Sequence, residues 1–348
     1  MADHLKPLRR FLRILRNGAL LIILIPILEY FVIPKLTGAS KSISILAKVN
    51  IFYVVLGVIL EAGALLAYAL LTKSVLPKES PSIATLVRIN LSTLSLSHVL
   101  PGGTAPGSAL GYRLLTSRGV SATNATFCMA TEGIGSALVL NVILWISLIA
   151  SIPFHSITNP LYGVAAVIGA LLIGLLAALI LLFTRGEEHA VGIINTIARK
   201  MPFISEEKLV AVIRNVAGRI DELAQERHRL IHALVWASLN WLLDAASLWV
   251  FILAFGKLVS PLDLLVAYGV ANVLAVIPIT PGGLGVIEGI LIPTLNGFGT
   301  PKNIAIIGVL AYRLVNFWIP IPVGGVTYLT LKFGKGTRVP ATSGIEEN

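Results

Sequence analysis

A carboxylate and a guanidinium, Glu288 and Arg313, stand in the apolar C-terminal third of this sequence. Each costs at least ~2.5–3.5 kcal/mol to hold at bilayer depth, so such groups normally face a protein interior and mark a pathway. Glu288 falls within PITPGGLGVIEG (Pro278–Gly289), where Pro281, Gly282, Gly283 and Gly285 break an otherwise continuous apolar run. Arg313 and Asn316 share one face of the next run. The chemistry such a pair offers is binding: a guanidinium takes a phosphate, and a carboxylate takes an amine or the guanidinium itself. Backbone N–H groups freed at a helix start would add to the attraction for an anion.

A second Pro/Gly break lies in LPGGTAPGSALGYRLL (Leu100–Leu115), which contributes Pro106, Gly107 and, toward its exit, Arg113. Glu132 stands early in a later apolar run, and Asn240 and Asp244 lie one turn apart in another. Together with Asn316 these residues complete the candidate binding set. Plainer roles compete. Asn240, Asp244 and Asn316 serve equally well as polar glue between helices, and Arg113 as an anchor at a membrane face. Glu29, Lys48 and Glu61 lie nearer the expected interfaces and read as snorkelling or packing residues. Arg88 and His98 sit on the first broken segment, and a lone histidine there reads as a satisfied buried side chain.

Catalytic signatures are missing from this sequence: it has no HExxH, no GxSxG, no Walker loop and no GxGxxG between strand and helix. GSALG at Gly107–Gly111 has a serine near His98 but no third group. Cys128 is the single cysteine, which excludes an internal disulfide and a cysteine-rich metal site. No catalytic residue, metal or cofactor is expected.

These groups must be held by membrane helices. Of 348 residues, 56% are hydrophobic and only 13% charged, about half the charge of a soluble domain. Full spans are expected at about 19–34, 43–71, 122–153, 160–183, 231–255 and 303–331, each near the ~20 residues that cross hydrocarbon. The first has no convincing cleavage site after it and reads as a retained span. The broken segments, about 84–116 and 262–296, read as re-entrant helical hairpins. With that assignment twenty Lys and Arg fall in cytoplasmic loops and four outside, which places both termini in the cytoplasm. The net charge of +10 is then explained by orientation and anionic lipid, and nucleic acid is not a partner.

The same assignment gives each half one order: span, span, hairpin, span. Residues 1–159 and 160–335 then form an inverted repeat, the plan of transporters with midplane sites on discontinuous helices. The stretch 184–230 reads as a cytoplasmic amphipathic connector, and 336–348 as a polar tail. The expected fold is an all-α polytopic membrane protein, one membrane domain with six full spans plus two re-entrant helical hairpins.

PITPGGLGVIEG, with LPGGTAPG…R at Leu100–Arg113, resembles the membrane domain of lysylphosphatidylglycerol synthases and the stand-alone flippase-like proteins related to it. The resemblance covers about residues 10–335. The first motif diverges in its threonine and alanine before the second Pro-Gly. The resemblance implies a plasma-membrane protein that moves lipids between leaflets, or one linked to polyprenyl-carried sugars. Pro281, Gly282, Gly283, Gly285 and Glu288 are the positions it carries over most directly, followed by Pro101, Pro106, Gly107 and Arg113. No aminoacyl-transferase domain precedes Asn348, so synthase activity is not implied. The resulting expectation is a translocase for an anionic or zwitterionic membrane lipid, with a homo-oligomer or a partner synthase left open. A secondary transporter of a small solute and an intramembrane polyprenyl-phosphate enzyme are the alternatives.

Overall fold

The computed structural model describes residues 49–78, 80–100, 102, 104–151, 226–275 and 280–333, together with helical positions 163, 166, 167, 170 and 174. The expected span 19–34, most of 160–183, the connector up to 225 and the tail lie outside the described residues. Among those described, every regular element is helical. Four segments are long and apolar enough to cross a membrane: Ile51–Val75, Ala122–Ser151, Arg227–Ala254 and Lys302–Phe333. They fall on the runs expected at 43–71, 122–153, 231–255 and 303–331.

Helix α1 (Ile51–Val75) starts where Asn50 accepts a hydrogen bond from the Phe52 amide. Helix α2 (Ile83–Val99) is capped by Ser82, which accepts from the Thr85 amide. After Val99 the chain turns through Gly102, at φ 110°, into α3 (Ala105–Thr116), where Pro106 occupies the first turn. A proline there forfeits only an N–H that the helix start could not use. Helices α4 (Ala122–Ala130) and α5 (Ser136–Ser151) are one segment interrupted by a π turn, Thr131–Gly135. The second half described comprises α6 (Arg227–Ala254), α7 (Pro261–Ala275), a short 3-10 turn Pro281–Gly283, and α8 (Val286–Gly297). Helices α9 (Lys302–Arg313) and α10 (Pro320–Phe333) are again one segment interrupted by a π turn, Leu314–Trp318. That turn has a local cause. Pro320 has no N–H to give Asn316, and the Ile319 amide reaches back to Leu314 O at 2.9 Å.

The packing resolves two ends. At one, Arg229 donates to the carbonyls of Ser74, Val75 and Leu76, and Lys73 to those of Ser80 and Pro81. Arg118 donates to Leu331 O there, and Leu71, Leu86, Leu115, Val120, Ala233 and Leu331 share one core. At the other end the Asn50 amide meets Ala254 O, and Leu148, Ile252, Leu264, Leu295 and Ala305 belong to a second core. Helices α2 and α3 therefore open toward the first end, and α7 and α8 toward the second. The outward surface stays apolar, with Val55, Ile59, Ile146, Ile149, Val326 and Leu329 exposed, as lipid requires.

Candidate functional site

The two broken segments meet at their tips. Gly282, in the 3-10 turn, has φ 53°, and a Cβ built there would lie 2.5 Å from the Phe317 ring and 2.7 Å from the His98 ring. His98 is in the last turn of α2. It stacks on Phe317 at 4.3 Å between centroids, with its Nδ1 3.1 Å from Phe317 O. Val99 and Leu284 pack on Phe317, Trp318 and Ile321. Gly283, also at positive φ, is buried against Ala275 and Ile287. Only glycine lets the backbones approach this closely and turn in the left-handed region.

Beside this junction Glu288 and Arg313 form a buried ion pair, Arg313 Nε donating to Glu288 Oε1. Their exposures are 5% and 1%, so the pair is shut off from solvent. Glu288 is the third residue of α8, and its Oε2 accepts from the Gly285 amide at 2.6 Å. The carboxylate thus occupies the spot where the helix start attracts an anion. Gly285, at φ 80°, leaves that helix start exposed on one side. The remaining Arg313 donors reach Asn316 Oδ1 and Gly282 O, each at 3.4 Å. The guanidinium lies 4.4 Å from the Phe317 ring centroid, a cation–π contact.

Asn316 extends the network to two more acids. Its Nδ2 donates to Glu61 Oε1 at 3.0 Å and to Asp244 Oδ1 at 3.1 Å. Asp244 also accepts from Tyr268 OH at 2.5 Å and Tyr312 OH at 2.7 Å. Five helices, α1 and α6 to α9, and a π turn therefore converge on one polar interior. The assignment of Glu61 to an interface is corrected by its position: it is 4% exposed, in the middle of α1, facing Asp244 and Asn316. The sequence places Glu61 in an apolar run but does not show which face of α1 carries it, and that face meets Asn316 of the π turn.

Glu132 belongs to a separate cluster, in the first π turn. Its carboxylate contacts Thr72 Oγ1 and accepts from Tyr68 OH at 3.3 Å, with Cys128 Sγ at 3.7 Å. Asn90 Nδ2 donates to Thr72 Oγ1 at 3.0 Å. Tyr68 and Thr72 continue along α1 from Glu61.

Other expected site residues are placed elsewhere. Arg113 is exposed near the end of α3, at the first end of the bundle. Arg88 folds back onto Ala84 O of its own helix. Asn240 Nδ2 donates to Ala64 O at 3.0 Å and fastens α6 to α1. Gly107 is buried where α3 crosses α2, its missing Cβ directed at Thr93 and Ser97. Pro281 opens the 3-10 turn, and Pro101 lies outside the described residues. Sequence reading missed Glu61, Tyr268 and Tyr312. The tyrosines carried no signal beyond ordinary packing, whereas an acid inside an apolar run was visible for Glu61.

Comparison with known proteins places this arrangement. The family model for the lysylphosphatidylglycerol synthase TM region matches residues 18–324. The UPF0104 membrane protein PH1989 of Pyrococcus horikoshii is 21% identical over 328 residues, covering 89% of this chain and 96% of that protein. A UPF0104 membrane protein of Methanothermobacter thermautotrophicus is 23% identical over 168 residues, 46% of this chain and 50% of its own. The inner membrane protein YbhN of Escherichia coli is 33% identical over 96 residues, 28% of this chain and 29% of that one. The match runs through both broken segments, and the chain belongs to the lysylphosphatidylglycerol synthase transmembrane-region family of membrane proteins.

Proposed function

We propose that the protein is a lipid translocase of the plasma membrane that passes the anionic or zwitterionic headgroup of a phospholipid, or of a polyprenyl-linked lipid, between the hairpin tips. The acyl chains stay in the bilayer throughout. The observation that carries this reading is the Glu288–Arg313 pair at the junction of two broken helices. Glu288 acts there as a built-in anion, satisfying both Arg313 and the α8 helix start. A phosphate offers the same two partners the same charge, so it displaces the carboxylate on Arg313. An amine on the headgroup then takes the carboxylate so released.

Two further features support the reading. Backbone groups at a helix break cannot face hydrocarbon and must meet protein or water. Gly102, Thr104, Ala105 and Gly285 are exposed beside the breaks, and water filling that side would give a headgroup its route. Hairpins opening toward opposite ends, and a π turn in the last described segment of each half, agree with an inverted repeat of 1–159 and 160–335. Such repeats alternate access by rocking one part against the other.

The test is reconstitution of the purified chain into vesicles of phosphatidylcholine and phosphatidylglycerol carrying a fluorescent phospholipid. Quenching by membrane-impermeant dithionite reports leaflet exchange. Exchange above protein-free vesicles, lost in Arg313→Gln at equal incorporation, is the expected result. Exchange equal to that of empty vesicles would overturn the reading, and solute uptake in the same vesicles would indicate a small-solute transporter.

A further inference from the structure

The hydrogen-bond inventory around Asn316 leaves one oxygen unserved. Arg313 spends its donors on Glu288, Asn316 and Gly282, and Asn316 spends its amide hydrogens on Glu61 and Asp244. The hydroxyls of Tyr268 and Tyr312 both go to Asp244. Glu61 Oε2, fully buried, receives no donor. Yet the carboxyls of Glu61 and Asp244 converge on a single nitrogen, Asn316 Nδ2, at 3.0 Å and 3.1 Å. Two ionised carboxylates have no hydrogen to share, and like charges this close cannot both ionise in a dry interior. Charge balance agrees, since Glu288 already neutralises Arg313.

We propose that Glu61 and Asp244 form a proton-binding site: the pair holds one exchangeable proton, which is taken up and released as the lipid moves. The ligand is H⁺ rather than a metal cation, because the groups converging on Asp244 are donors, while sodium requires a shell of free oxygens. Proton uptake turns the Glu61 carboxylate into a neutral acid that donates to Asp244; release returns the proton to whichever aqueous side is open. The groups facing Glu61 are Asp244 from α6, Tyr268 from α7, Tyr312 and Arg313 from α9, and Asn316 from the π turn. Glu288 on α8 and His98 on α2 are reached through Arg313 and Phe317. Tyr68, Cys128 and Glu132 belong to the neighbouring cluster along α1. Adding a proton makes this interior less negative, so it favours an anion on Arg313, and by linkage the anion favours the proton. The coupling half of this proposal rests on the translocase reading; the proton site does not.

The experiment has two arms. Infrared spectroscopy of the purified full chain at neutral pH should show a protonated-carboxyl band that shifts in D2O. In a Glu132→Gln background, which removes the carboxyl of the neighbouring buried cluster, Glu61→Gln should abolish it and Asp244→Asn should shift or abolish it. A spectrum that neither Glu61→Gln nor Asp244→Asn changes overturns the proton site. In vesicles of phosphatidylcholine and phosphatidylglycerol, one proton per lipid makes a one-unit pH gradient shift the steady-state leaflet ratio about tenfold. Glu61→Gln should lose that response. Lipid exchange that ignores the gradient, or that depends on sodium against choline, overturns the coupling and leaves the translocase standing. No lipid exchange at all sinks the translocase, and the infrared band alone then decides the proton site.

Discussion

Arg313 and Glu288, 25 residues apart in sequence, close an ion pair inside the bundle, and Glu288 also takes the first free amide of its own helix, at Gly285. Removing one member strands the other as a buried charge, which costs ~3–5 kcal/mol, whereas removing both costs less. Glu288→Gln and Arg313→Gln should each lower thermal stability in detergent, and the double variant should recover most of the loss without recovering lipid exchange. The coupling is read from the cycle: simple addition of the two single effects means that the pair does not interact.

The 3-10 turn Pro281–Gly283 tolerates no side chain at Gly282. An alanine Cβ would enter the Phe317 and His98 rings, and the residue would have to hold φ 53°, which costs roughly 1–2 kcal/mol for an L-residue. The two rings are stacked on each other and cannot withdraw independently. Gly282→Ala is expected to destabilise the protein by about 2 kcal/mol or more, and Gly282→Leu with Gly283→Leu to abolish exchange while insertion persists. Wild-type exchange by the double leucine variant would remove the tips from the pathway.

The two arginines of the candidate set separate cleanly in space. Arg313 is enclosed, and Arg113 is exposed at the end of α3 without a partner in the buried network. Arg113→Gln should therefore change stability by less than about 0.5 kcal/mol and leave dithionite-detected exchange near wild type. Arg313→Gln should eliminate exchange. Comparable losses in both variants would mean that the headgroup is read first at the membrane face.

The helices and their breaks were legible in the sequence because hydrophobic run length and Pro/Gly clusters report directly on backbone hydrogen bonding in lipid. Glu288 and Arg313 were legible for the same reason, since an ionisable group in an apolar run needs a partner. What stayed hidden depends on rotation about helix axes. Glu61, Lys48 and Glu29 look alike as isolated charges in apolar runs, and only the rotation of α1 turns Glu61 inward to Asn316. Tyr268 and Tyr312 are defined by what their hydroxyls reach, and 24 and 68 residues separate them from Asp244. The π turns were hidden too. The first coincides with the glycines of TEGIG, while the second is set against Pro320, and neither pattern is unique to a π turn.

The opposite directions of the α2–α3 and α7–α8 segments make a topological prediction that separates geometry from orientation. Arg118 reaches Leu331 O beside the bases of α2 and α3, whereas α8 ends at Gly297 and α9 begins at Lys302 at the far end. The basic loops around Lys73, Lys78, Arg118 and Arg229 lie at the Arg118 end, which the positive-inside rule assigns to the cytoplasm. Cys128 is fully buried, so a single added cysteine supplies the signal. A membrane-impermeant thiol reagent on intact cells should label Lys302→Cys and spare Ser117→Cys, and permeabilised cells should show both. Reversed labelling would invert the orientation while keeping the bundle. Labelling of both positions from one side would contradict the re-entrant reading, in which the two broken segments open toward opposite faces.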